Sequence, residues 1–241
     1  MTIHITKTVR EVAVELPEAT RVFEKLGIDY CCGGGKPLQE ACLAAGVPTE
    51  KVVALLEETA NRAANSIKAR DWNSAPLADL VAYIVTKHHG FTREELVRLS
   101  ELLEKVCSVH GENHPELRRL HTIFQELKNE LTGHMSKEEQ ILFPYIENLA
   151  AAVERREPVP TPLFGTVRNP IRMMIQEHDD AGQALRGLRE ASSNYQVPAD
   201  GCVTFRTLYQ ALEEFEKDLH QHIHLENNIL FPRAADLEAS A

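Results

Sequence analysis

The chain has 241 residues, of which 43% are hydrophobic and 26% charged, with a net charge of −10. These are the proportions of a globular protein long enough for one large domain, or a large and a small one. Residues 1–70 carry nine basic and nine acidic side chains, so the acidity lies beyond them, and without a basic stripe to neutralise phosphates nucleic acid is excluded as a partner.

Residues 1–60 read as a cluster of short helices. Thr8-Val-Arg-Glu11 is a capping-box pattern opening the first. Pro17 and Gly27 bracket the second, with Val22, Phe23 and Leu26 as its apolar face. Pro37 to Gly46 suggests a third, and Thr49 can cap a longer fourth. Between the second and third lies DYCCGGGK, residues 29–36. Its glycines permit backbone conformations closed to other residues, but the spacing is not that of a phosphate-binding P-loop. Adjacent Cys31 and Cys32 admit two readings: small thiols partly buried at a helix end, or a reactive pair held exposed by the glycines. Cys42, Cys107 and Cys202 are isolated and read as packing residues.

DWNSAP, residues 71–76, reads as a linker between a small helical domain, residues 1–70, and a larger one, residues 76–241. Four long helical patterns follow. The first runs from about 76 to 108 and, after HGENHP, the second starts at Pro115. The Pro-rich segment EPVPTPLFGTVRNP separates the halves. The third spans about 169–194 and, after QVPADG, the fourth runs towards the C-terminus. Helix–turn–helix, long connection, helix–turn–helix is the pattern of a four-helix bundle. The expected class is all-α.

The second and fourth helices share one motif. Residues 134–144 read HMSKEEQILFP and residues 222–232 read HIHLENNILFP, so His134 and Glu138 recur as His222 and Glu226 after 88 residues. Positions i and i+4 lie one above the other on a helix, so each copy aims an imidazole and a carboxylate at one point. The repeat selects Glu138 over Glu139, whose counterpart is Asn227, and His222 over His220 and His224, which default to surface histidines. The Pro ending each copy lacks an N–H and clashes with the preceding turn, so it should kink or stop the helix.

Hairpin geometry indicates two more ligands. A residue level with His134 on the antiparallel neighbour lies as far before the turn as His134 lies after it. His89 satisfies this for His134 at an interval of 45 residues, and His178 does so for His222 at 44. His88 competes with His89, but only His89 also superposes Leu96 on Leu185 and Leu99 on Leu188 when the halves are aligned. His110, His114 and His121 fall away from this level. Four imidazoles and two carboxylates suit two iron ions bridged by carboxylates, and ligand type alone also admits zinc or manganese.

The C-terminal 165 or so residues resemble hemerythrin-like domains, for which HxxxExxILFP is a specific signature. With DYCCGGG ahead of the bundle, nearly the whole chain is similar to the bacterial iron–sulfur cluster repair di-iron proteins. The resemblance implies a non-haem di-iron centre on His89, His134, Glu138, His178, His222 and Glu226. Its acidic residues beside the site fall on Glu130 and Glu177. Oxygen-carrying hemerythrins use one further His, so each iron here keeps an open position, given an oxo or hydroxo bridge.

The implied function is repair of iron–sulfur clusters damaged by nitric oxide or peroxide, by delivering iron or removing nitric oxide, with a functional cysteine pair; Cys31 and Cys32 are candidate relay thiols between a damaged partner and the di-iron site. Competing readings are a di-iron nitric oxide reductase and an oxygen- or redox-binding module. Expected partners are damaged iron–sulfur proteins and nitric oxide or dioxygen, and the reading admits a homodimer. No apolar run approaches a membrane span and MTIHITKTVREV has no apolar leader core. Five cysteines, an odd number, make no secreted disulfide framework. A cytoplasmic protein with no membrane partner is expected.

Overall fold

The computed structural model describes residues 3–63, 70–159 and 161–241, and the regular elements among them are all helical. Residues 64–69, close to the expected domain boundary, and Pro160 of the Pro-rich connection lie outside the described residues. The chain divides into two compact units. One comprises Met1–Leu80 with His220–Arg233, the other Val81–Leu219 with Ala234–Ala241. No helix among the described residues is long and apolar enough to cross a membrane.

In the first unit, α1 (Val9–Glu15) starts at the expected capping box. The Thr8 hydroxyl accepts the Glu11 N–H at 3.2 Å while the Glu11 carboxylate accepts the Thr8 N–H at 2.7 Å. Helix α2 (Ala19–Leu26) ends at Gly27, which is left-handed with φ 65°. Helices α3 (Leu38–Ala44) and α4 (Thr49–Ala63) complete the set. Val9, Val12, Phe23, Leu38, Val52 and Leu56 from all four form one core, each large side chain contributing about 1.5–3 kcal/mol by burial.

The glycine run works differently from expectation. None of Gly33, Gly34 and Gly35 takes a left-handed conformation. Instead the loop folds over the start of α1, whose first N–H groups have no intrahelical partner. Val9 and Arg10 donate to the Lys36 and Gly34 carbonyls at 3.0 and 2.8 Å. A Cβ on Gly34 would stand 2.7 Å from the Tyr30 carbonyl oxygen, so close approach is what excludes a side chain.

DWNSAP is not a free linker but is tied down inside this unit. The Asn73 amide donates to the Val14 carbonyl at 3.0 Å, and the Arg233 guanidinium donates to the Trp72 and Ala75 carbonyls at 2.7 Å each.

In the second unit, α6 (Gly90–His110), α7 (Glu116–Lys137), α9 (Arg168–Ala191) and the part of α10 (Val203–Leu225) up to Leu219 supply the long helices. Helix α7 packs against α6 and α9. Its Leu117, Leu120, Phe124, Leu127 and Leu131 recur at helical spacing and are buried, with Phe124 edge-on to Phe215 of α10 at 6.2 Å.

Three of the helices pass through a π-helical turn. Helix α5 (Leu77–Tyr83) joins α6 through Ile84–His89, α7 joins α8 (Phe143–Arg155) through Glu138–Leu142, and α10 joins α11 (Phe231–Ser240) through Glu226–Leu230. The motif prolines therefore do not stop the helices. Phe143 and Phe231 donate to the Glu138 and Glu226 carbonyls five residues back. This wider turn directly precedes Pro144 and Pro232, where an α-helical ladder would need the missing N–H.

Candidate metal centre

Each sequence-derived ligand stands at a distinctive place in its helix. His89 closes the first π turn, Glu138 opens the second and Glu226 opens the third, whereas His178 lies on the unbroken α9. All six are buried: His89, Glu138 and Glu226 are fully covered, and His134, His178 and His222 are within 2% of it.

Two sets of four residues each bring one donor atom apiece within 4.8 Å of one another. These are His89, Glu138, His222 and Glu226, and His134, Glu138, His178 and Glu226. The Glu138 Oε2 atom lies 3.3 Å from both His89 Nε2 and His134 Nε2. His134 Nε2 is also 3.0 Å from His178 Nε2, and His222 Nε2 is 3.0 Å from Glu226 Oε1. A buried carboxylate is costly to keep ionised unless a positive charge compensates it. Two such carboxylates among four imidazoles form the nitrogen and oxygen donor set that suits two divalent cations, and it fits a di-iron centre.

The opposite ring nitrogens are held by a second layer of carboxylates. His89 Nδ1 donates to Glu139 at 2.6 Å, and Arg93 donates to the same oxygen at 2.7 Å. His134 Nδ1 donates to Glu177 at 2.9 Å, and Lys137 also donates to Glu177. The hydrogen bond from His134, reinforced by Lys137 against the effect of burial, holds the Glu177 carboxyl down to about 2. Burial pushes Glu139 up, but the bonds from His89 and Arg93 outweigh it and leave the group below its ordinary value. Ionised carboxylates only accept, so each Nδ1 carries the proton and each Nε2 presents its lone pair to the cluster.

Glu177 therefore stands where the resemblance puts an acidic neighbour of the site, while Glu130 is exposed and lines a cavity of about 360 Å³ that reaches His134, Lys137 and Glu177. Glu139, set aside because its counterpart in the repeat is Asn227, turns out to orient His89. Its signal was its place next to Glu138, one step round the helix, which comparison of the two copies discarded.

Other histidines settle differently. His88 faces away from the donor sets, with Nδ1 3.0 Å from Asp218 and its ring edge-on to Tyr83 at 5.5 Å. His224 is buried rather than a surface residue. Its Nδ1 lies 2.7 Å from the Asn228 amide and its ring edge-on to Tyr30 at 5.5 Å, while Asn228 donates to the Tyr30 carbonyl at 2.9 Å. His220 Nδ1 faces Glu24 at 3.1 Å. Residues 1–80 cover this face, which helical spacing alone could not reveal.

The cysteine pair is not held out to solvent as a whole. Cys31 is 3% exposed and Cys32 partly so. The two sulfurs are 3.8 Å apart, and both backbone N–H groups donate to Asp29 Oδ1. The contact with Cys32 and burial push the Cys31 thiol well up.

Two family descriptions match the chain. A hemerythrin HHE cation binding domain matches residues 80–234, and a domain of unknown function, DUF542, matches residues 5–60. The iron-sulfur cluster repair protein YtfE of Pectobacterium carotovorum is 39% identical over 224 residues, covering 93% of this chain and 94% of that one. The protein of the same name from Musicola paradisiaca is 39% identical over 233 residues, covering 97% and 98%. A probable iron-sulfur cluster repair protein of Haemophilus influenzae is 36% identical over 225 residues, covering 92% and 94%.

Proposed function

The chain belongs to the family of iron–sulfur cluster repair proteins built on a hemerythrin HHE domain, and we propose that it holds two iron ions and restores iron–sulfur clusters damaged by nitric oxide or peroxide. The observation that supports the reading most directly is that Glu138 and Glu226 belong to both donor sets. On this reading His89 and His222 would hold one cation and His134 and His178 the other, with Glu138 and Glu226 available to both. When bound, the iron pair supplies positions for a small ligand such as nitric oxide and iron that can be passed on.

The chain's own groups prepare that chemistry. Glu139 and Glu177 fix the ring orientation and tautomer of His89 and His134. Glu138 and Glu226 bring two negative charges to offset the cations. The cavity beside His134 offers a small molecule a way in, with Glu130 and Lys137 in its wall. Damaged iron–sulfur proteins of the cytoplasm are the partners this reading implies.

Metal analysis and Mössbauer spectra of Glu138→Ala and Glu226→Ala test the assignment. Each substitution is expected to disturb both irons, because each removes a shared ligand. Loss of one iron with an intact second would contradict the shared arrangement. Reactivation of a nitric oxide-damaged iron–sulfur enzyme tests the function, and unaltered damage in the presence of iron-loaded protein would overturn it.

A further inference from the structure

Far along the chain from the ligands, the two hairpin turns of the second unit meet. His114 Nε2 lies 3.2 Å from both carboxylate oxygens of Asp200, and its Nδ1 lies 2.9 Å from Glu116. Beside them Cys202, expected to be a packing residue, is exposed, and its Sγ stands 3.2 Å from His110 Nε2. Cys202 immediately precedes α10, and its carbonyl accepts the Arg206 N–H at 3.1 Å. Its sulfur faces the N–H groups of Thr204 and Phe205. An imidazole and the open N–H groups of a helix start both favour a thiolate.

A cleft of about 590 Å³ adjoins the pair, with His114, Arg119, Gln196, Ala199 and Tyr209 in its wall. Ala199 is three residues before Cys202, at most about 11 Å of chain. Tyr209 is 2% exposed and borders this cleft. A phenol hydroxyl at the wall of a cleft can give or accept a hydrogen bond with a polar ligand there.

We propose that Cys202 and His110 form a nucleophilic thiol–imidazole pair, a modification site for low-molecular-weight disulfides whose polar body the adjoining cleft seats. The Cys202 sulfur attacks one sulfur of the disulfide. A new S–S bond forms as the old one breaks, and the departing thiolate takes the proton that His110 accepts from the Cys202 thiol. The product is a mixed disulfide, and the exchange needs no further oxidant.

The titratable groups beside the pair are His114, with its ring 6.1 Å from that of His110, and the carboxylates Glu116 and Asp200 that His114 engages. The Phe205 N–H and then His110 hold the Cys202 thiol down to about 7. Burial pushes the Cys107 thiol up, which makes it an internal reference.

The test uses the full chain with its metal bound and glutathione disulfide as probe, with adducts located by peptide mass mapping. Iodoacetamide alkylation is followed in parallel across pH. Cys202 is expected to carry the adduct ahead of Cys107 and to be alkylated with a midpoint near 7, against about 8.5 for an ordinary thiol. His110→Ala and His110→Gln should both move that midpoint upward. A full return to the ordinary value lowers the thiolate fraction at pH 7 about sixteen-fold and raises its nucleophilicity about five-fold, so the rate falls about three-fold. Tyr209→Phe should slow the disulfide reaction and leave alkylation by iodoacetamide unchanged. A midpoint near the ordinary value, or one that neither His110 substitution moves, would overturn the pair. A disulfide rate indifferent to Tyr209→Phe would overturn the seat.

Discussion

Two glycines show how the same residue answers different demands. Gly133 sits inside α7, and a Cβ there would meet nothing within 4 Å. Gly133→Ala should therefore raise stability by about 0.5–1 kcal/mol through lower unfolded-state entropy and better helix propensity. Urea unfolding measures it, and a loss of stability would mean that the cavity beside His134 needs that position empty. At Gly34 a Cβ would press on the Tyr30 carbonyl oxygen, so Gly34→Ala should cost about 1–3 kcal/mol and loosen the loop that carries the cysteines. For those cysteines the structure separates two roles that adjacency suggests are shared. Cys32 is the more accessible and Cys31 the buried partner. If the relay operates, Cys32→Ser should lower repair as far as the double serine variant does, with iron content unchanged. A fully active double variant would sink the relay.

At the scale of elements, the three π turns deserve the comparison with the repeat. Two of them coincide with its copies, and each starts on the repeated Glu and ends just before Phe-Pro. The remaining one, Ile84–His89, is followed by no proline, so proline is not required for the turn. The opposite ends of the long helices are joined by His114 and Asp200. Hydrogen bonds to Glu116 and Asp200 raise the His114 imidazole above its ordinary value, and the bond from His114 lowers the Asp200 carboxyl. A raised histidine stabilises the fold below its unfolded value, about 6.5, and loses that contribution as pH rises through the folded value. A lowered aspartate stabilises above about 3.9 and loses its share as pH falls through its folded value. The pair should thus contribute most between about pH 4 and 6.5. The stability difference between the unaltered chain and His114→Ala, measured by denaturant titration, should shrink from pH 6 to pH 8. A constant difference would mean that packing on Phe205, not charge, is what His114 supplies.

For the whole molecule, the first unit contains both residues 1–80 and the segment bearing His222 and Glu226. That segment is tied by Asn228 and His224 to Tyr30, by His220 to Glu24, and by Arg233 to Trp72 and Ala75. A chain beginning at Leu77, which a free linker at DWNSAP would leave intact, should instead lose order around His222 and bind less iron. Metal content and circular dichroism of that shortened chain decide the matter. Full iron occupancy with unchanged helicity would show that the first 76 residues are dispensable to the site.

Local periodicity made much of this protein legible. The duplicated His-x-x-x-Glu, the capping box at Thr8 and the apolar spacing of α7 are relations within a turn or two of helix, so residue type and position determine them. Equal distances from a turn extended that reach to His89 and His178, because antiparallel helices of constant rise keep register. What only the tertiary structure decided involves residues far apart in the chain. Glu139 reaches His89 across 50 residues, Arg233 holds Trp72 across 161, and Cys202 meets His110 across 92. Such contacts depend on how helices rotate and cross, and a few tens of degrees about an axis changes which side chain faces the neighbour. No repeat or spacing encodes that rotation, which is set by the packing of the entire core.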